Sequence, residues 1–141
     1  MRRHHEDEKI TWLKSRPWWG DLDDKELALL AATADRATIR AGRNLMHEGD
    51  IALEACVVVT GTLEVRHGDE AVATLGPGEV VGELGVIDRS RRNADVWAVE
   101  DTELLVFTST AFRQNLDESQ HIREFVQQAA ARHRGAAETT G

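Results

Sequence analysis

At 141 residues, with 41% hydrophobic and 30% charged side chains, the chain has the size and make-up of one soluble globular domain, able to bury roughly two-thirds of its unfolded surface. No apolar run approaches the ~20 residues of a membrane span, and no apolar stretch follows Arg2 and Arg3 as a secretory signal requires. A net charge of −8 argues against a dedicated nucleic-acid binder, and a single cysteine, Cys56, excludes an internal disulfide and fits a reducing cytoplasm.

Residues 6–34 read as helical. Trp12 and Leu13 close a first segment that Pro17 breaks. Asp23, three residues ahead of Glu26, is a carboxylate form of the capping box. Leu22, Leu27, Leu29, Leu30 and Ala34 then follow a helical stripe. Trp18 and Trp19 read as anchors that pack this helix on the body rather than as a ligand site.

From residue 36 to 108 the period changes. Short β runs at 37–40, 55–60, 62–66, 71–75, 94–100 and 103–108 are separated by glycine-rich turns, the pattern of an antiparallel sandwich or barrel. Leu63 and Val65 alternate onto the inner face of their strand. The run from Cys56 to Val59 does not alternate and reads as a strand covered on both sides, with Cys56 a small buried hydrophobe. Helix returns over 109–134. Ser109 is the expected N-cap, and Ile122, Phe125, Val126 and Ala129 make an amphipathic stripe. The whole, 1–141, is expected to be a single domain with a core over about 12–133 and flexible tails at 1–5 and 135–141.

The chemistry concentrates in residues 76–94. Gly82 and Gly85 let the backbone approach another group closely. A helical turn starting at Glu83 leaves amides without intrahelical partners, suited to an anion. Arg92 offers a planar fork of donors for phosphate oxygens, and Glu83 can accept from sugar hydroxyls. Together these describe a receptor for a sugar phosphate.

At these residues the chain resembles the cyclic nucleotide-binding domains of catabolite activator proteins, cyclic-nucleotide-dependent kinases and gated channels. The phosphate-binding cassette of that family appears as Val81-Gly82-Glu83-Leu84-Gly85-Val86-Ile87, a loop over 88–91, then Arg92-Asn93-Ala94. Residues 41–50 and 58–65 resemble the hairpin and strand pair that precede it. The resemblance implies a mainly β fold: a jelly-roll, or double-stranded β-helix, of about eight antiparallel strands with N-terminal helices and a C-terminal lid helix. It implies that Glu83 holds the ribose 2′-hydroxyl and Arg92 the cyclic phosphate. Gly82 and the amides of Leu84, Gly85 and Ala94 complete the cradle, and Asn93 adds one hydrogen bond. Val65, Ala73 and Leu75 are implied for the base pocket, and Ile122, Phe125 and Val126 for the lid or a homodimer seam. The implied ligand is cyclic AMP rather than cyclic GMP. The implied role is that of a regulatory sensor relaying occupancy through the last helix, with no reaction catalysed and no metal. Arg91 departs from a frequent proline, and Asp95 from a neutral residue; Asp95 is expected to point away from the ligand.

Two other readings stand beside this one. Glu83 and Arg92 could be a structural ion pair in a ligand-free interaction or dimerisation module. A metal-dependent enzyme on similar architecture would need clustered ligands. Here His47, His67, His121 and His133 are scattered, His4 and His5 lie in the tail, and no His-x-His pair exists. Cys56 lies mid-strand, and no serine sits on a glycine-flanked elbow. Arg89 and Arg91 read as solvated loop residues. No helix-turn-helix pattern follows the last helix before Gly141, so neither direct DNA binding nor membrane contact is expected.

Overall fold

Pro17 and the capping box divide the first helical zone as the sequence predicts. In the computed structural model, which describes residues 2–17 and 19–140 and the side chains of 7–17 and 19–134, α1 spans Arg2–Lys14 and α2 spans Asp24–Thr33, with one 3₁₀ turn at Trp19–Asp21 between them. The expectations for Trp18 and for side chains in the two terminal tails lie outside the described residues; α1 begins at Arg2 and the last helix runs to Thr140. Asp23 Oδ1 accepts from the Glu26 amide at 2.8 Å, and Glu26 Oε1 accepts from the Asp23 amide at 3.0 Å. At the other end of α2, Lys9 Nζ donates to the carbonyls of Ala31 and Ala34, at 3.1 and 2.5 Å. A cation there answers the carbonyls that helix geometry leaves unpaired and fixes α1 against α2.

Among the described residues, eight strands form two four-stranded antiparallel sheets. They are β1 Asp35–Ile39, β2 Asn44–Met46, β3 Glu54–Thr60, β4 Leu63–His67, β5 Glu70–Leu75, β6 Val80–Val81, β7 Asp95–Ala98 and β8 Thr102–Thr108. One sheet runs β1-β8-β3-β6 and the other β2-β7-β4-β5, which is the jelly-roll the sequence implies. A short helix, α3 (Glu83–Ile87), fills the link between β6 and β7, and α4 (Ser109–Glu118) and α5 (Gln120–Thr140) follow β8. Two strands, β2 and β6, were not among the sequence runs, and the run at 94–100 contracts to Asp95–Ala98. The cap of α4 is Thr108 rather than Ser109: Thr108 Oγ1 accepts from the Ala111 amide at 3.1 Å.

The unbroken apolar run of β3 is explained by two cores that share it. Cys56 and Val58 face Leu63, Leu75, Val81, Val96 and Leu104, between the sheets. Ala55, Val57 and Val59 face Leu105 and Phe107 and, above them, Leu13, Trp19, Leu27, Phe112, Ile122 and Val126 of the helical layer. Burial pushes the Cys56 thiol up to about 12, with the charge of Glu54 adding to it, so Cys56 is the inert packing residue expected.

Candidate functional site

The site begins where β5 ends. Gly76 to Gly78 turn the chain, with Glu79 Oε2 accepting from the Gly76 amide at 2.6 Å, and β6 then pairs with β3 through Cys56↔Val81 and Val57↔Val80. Gly82 leaves β6 at φ 82° to start α3. A Cβ at Gly82 would sit 2.5 Å from Met46 Cε and 2.8 Å from Arg92 Nη1, and one at Gly85 would meet Ala52 Cβ at 2.6 Å. Both glycines are therefore required by close approach, as the sequence suggests.

Arg92 is held by what those glycines leave room for. Its Nη1 donates to the Gly82 carbonyl at 2.8 Å and its Nη2 to the Glu54 carbonyl at 2.6 Å. Its own amide donates to Asp50 O, and its carbonyl accepts from the Gly49 amide, each at 2.8 Å. Burial lowers the guanidinium pKa, opposed by Cys56, Glu54, Glu83 and Asp50, and the group stays cationic.

Glu83, the first residue of α3, is fully buried. One carboxylate oxygen, Oε1, accepts from Nδ1 of His133 on α5, while Oε2 has no hydrogen-bond partner among the described residues. The hydrogen bond to Glu83 raises the His133 pKa against the opposing effect of burial. Glu83 and Arg92 do not form an ion pair; each is engaged elsewhere.

Both groups line one cavity of about 80 Å³. Its apolar wall is Met46, Val65, Val72, Ala73, Leu75, Val81 and Val96; its polar wall is Gly82 to Gly85, Arg92 to Ala94, His67 and His133. The structure thus brings together Gly82, Glu83, Leu84, Gly85, Arg92, Asn93, Ala94, Val65, Ala73 and Leu75. It does not bring Ile122, Phe125 or Val126 there. Ile122 and Val126 are buried in the helical core, and the Phe125 ring packs on Trp19 with centroids 4.4 Å apart. That stripe faces the N-terminal helices and the outer side of the first sheet. Among the described residues, the part of α5 that lines the cavity is His133, which the sequence reading weighed only as a scattered histidine. Its signal was available: His133 lies eleven residues beyond Ile122, about 20° from it around the helix.

The remaining charges stand off the cavity. Asp95 Oδ1 accepts from the Glu48 amide at 2.7 Å and lies 3.1 Å from His47 Nδ1. Arg91 is exposed and donates to the Gly49 carbonyl, and Arg89 is exposed at φ 51°. Among the described residues, no group of three or more His, Cys, Asp or Glu side chains could hold a metal ion, and no helix is long and apolar enough to cross a membrane.

Comparison with known proteins places the chain in a family. The family described as "Cyclic nucleotide-binding domain" matches residues 36–119. The chain belongs to this family. Among curated proteins, this cyclic nucleotide-binding domain is similar to the Cyclic AMP receptor protein of Thermus thermophilus, 33% identical over 98 residues that cover 66% of this chain and 45% of that protein. It is also similar to an uncharacterized NTE family protein of Mycobacterium tuberculosis, 29% identical over 123 residues, covering 86% of this chain and 21% of that protein. The chain thus spans less than half of the length of either relative. Among solved structures, PKAR CBD2 bound to Sp-2Cl-cAMPS superposes with a TM-score of 0.87 at 15% identity, covering 99% of this chain and 94% of that one. The regulatory subunit of a cAMP-independent protein kinase A from Trypanosoma brucei gives 0.81 at 21% identity, covering 92% and 47%. At such identities the likeness speaks for the fold, that of cyclic-nucleotide-binding regulatory domains.

Proposed function

We propose that this domain binds a cyclic nucleotide, cyclic AMP in preference to cyclic GMP, and passes occupancy on through α5. One observation carries the reading: a buried carboxylate with one oxygen unpartnered among the described residues and a pre-positioned guanidinium line the same small cavity beside the α3 turn. An unpaired buried carboxylate oxygen is costly, and a ribose hydroxyl would supply its missing donor. The Arg92 fork and the amides of Leu84, Gly85 and Ala94 would take the phosphate, with Asn93 at the rim. Val65, Ala73 and Leu75 would receive the base. The apolar wall offers a purine mostly van der Waals contact, and the cyclic AMP named in relatives and neighbours supports the choice of adenine. Because α5 contributes to the wall, ligand can favour one placement of that helix over another. No reaction is assigned to the domain.

A second reading has one observation in its favour. Glu83 already has His133, and Arg92 already has two carbonyls, so the site is largely satisfied within the chain. On that reading the domain is an interaction or dimerisation module, with α5 as its seam. Calorimetric titration with cyclic AMP and cyclic GMP separates the two. The first expects saturable binding that Arg92→Ala weakens by roughly 2–5 kcal/mol and Glu83→Ala by roughly 1–3 kcal/mol. Silence with both nucleotides, or an Arg92→Ala protein that binds as well as its parent, would leave the second.

A further inference from the structure

α5 meets the cavity through a titratable group. His133 is partly buried, and its Nδ1 donates to Oε1 of a carboxylate that is wholly removed from solvent. The same helix is tied to α3 once more, by Arg134 Nη2 and Asp88 Oδ1 at 2.6 Å, but that pair is exposed on both sides and contributes little. The apolar wall belongs to strands paired within the two sheets, whereas α5 brings His133 to the polar wall.

His133 lines the cavity and engages Oε1 of the buried carboxylate, whose other oxygen, Oε2, has no hydrogen-bond partner among the described residues. A ribose hydroxyl bonding that carboxylate would therefore compete with His133 for its charge. Resting on the cyclic-nucleotide reading, we propose that His133 is a latch: it holds α5 over the site by engaging Glu83, and a cyclic nucleotide whose hydroxyl bonds the same carboxylate loosens that hold. α5 is then coupled to occupancy through a contact stronger in one state than in the other, which is what population shift requires.

The latch gives binding a direction with pH. Among the described residues, the charged and titratable groups around His133 are Glu83 on α3, Glu79 before β6, Arg92 and His67 in the cavity wall, and Arg132 on its own helix. Glu83 dominates and holds the ring above the ordinary histidine value, burial and Arg132 oppose it, and Glu79 adds to it. The pair is therefore at full strength below about pH 6.5 and weakens as pH rises through the elevated value of the folded protein. Loosening the pair returns the ring toward its ordinary value, so binding releases a proton in that window and affinity rises with pH.

Calorimetric titration of cyclic AMP into the parent and into His133→Ala, at about pH 6 and about pH 8, tests this. His133→Ala is expected to bind more tightly than the parent at the lower pH, on the order of ten- to a hundredfold for the loss of one charge-assisted competitor. The gap narrows at the higher pH. His133→Gln, which keeps a neutral donor, should show an intermediate affinity with no pH dependence, and guards against a folding defect in the alanine variant. Equal or weaker binding by both variants, while Arg92→Ala abolishes binding of the parent, overturns the latch and leaves the nucleotide site standing. If no protein binds either nucleotide at either pH, the site reading falls and the competition with it. Ring titration of His133 by NMR in the ligand-free protein then separately reports whether the Glu83 pair exists: its elevated pKa should fall in Glu83→Gln.

Discussion

Gly85 shows how tightly the cassette is set by single residues. A Cβ there would lie 2.6 Å from Ala52 Cβ and 3.3 Å from the Ser90 carbonyl, and Ala52 is itself buried, so neither neighbour can swing aside as a long side chain would. Gly85→Ala is expected to destabilise the fold by roughly 1–3 kcal/mol through overpacking, measured as a lower urea midpoint with unchanged slope. The double variant Gly85→Ala, Ala52→Gly should recover part of that loss; no recovery would place the strain in the backbone instead. At this scale the sequence was informative, because a glycine pair flanking an acid has few uses other than close approach. It was silent on what approaches: the guanidinium of Arg92 lies 2.8 Å from where a Gly82 Cβ would stand, a contact between residues ten apart in sequence.

At the scale of elements, α5 is where periodicity was read correctly and its destination was not. A stripe at Ile122, Phe125, Val126 and Ala129 announces an amphipathic helix, but it cannot say which of two apolar bodies the stripe will meet. The helical layer takes it, through Trp19 and the outer face of β3 and β8, while His133, one turn beyond Ala129, lines the cavity. β2 and β6 escaped for a different reason: three and two residues are too few to display any period, and their existence depends on partners β7 and β3. Phe125→Ala tests the placement of the stripe. It removes an aromatic pair and a half-buried ring, so a loss of about 2–4 kcal/mol is expected in denaturant unfolding, below the range for fully buried phenylalanine. A loss under about 0.5 kcal/mol, the level of a neutral surface change, would mean that Phe125 does not pack there.

The molecule as a whole is joined by two strands. β3 and β8 pair along their length, and consecutive residues of each point into different cores: Leu104, opposite Val58, lies between the sheets, and Leu105, opposite Val57, lies under the helices. Both leucines are almost wholly buried. If the sandwich and the helical layer were independent, truncating one would loosen only its own layer. Because the same two backbones carry both, removal of either side chain weakens pairing that the other core needs. Leu104→Ala and Leu105→Ala are each expected to cost about 2–5 kcal/mol, and unfolding should remain a single transition in each. Tryptophan fluorescence is weighted toward the helical side, where Trp12, Trp18 and Trp19 lie in sequence, while far-UV circular dichroism follows strands and helices alike. Coincident midpoints from the two probes would bear out the shared framework. An early fluorescence transition in Leu105→Ala, with the dichroism of the sheets persisting to higher urea, would show that the layer carrying α5 melts alone, and a helix that melts alone could not report the state of the cavity.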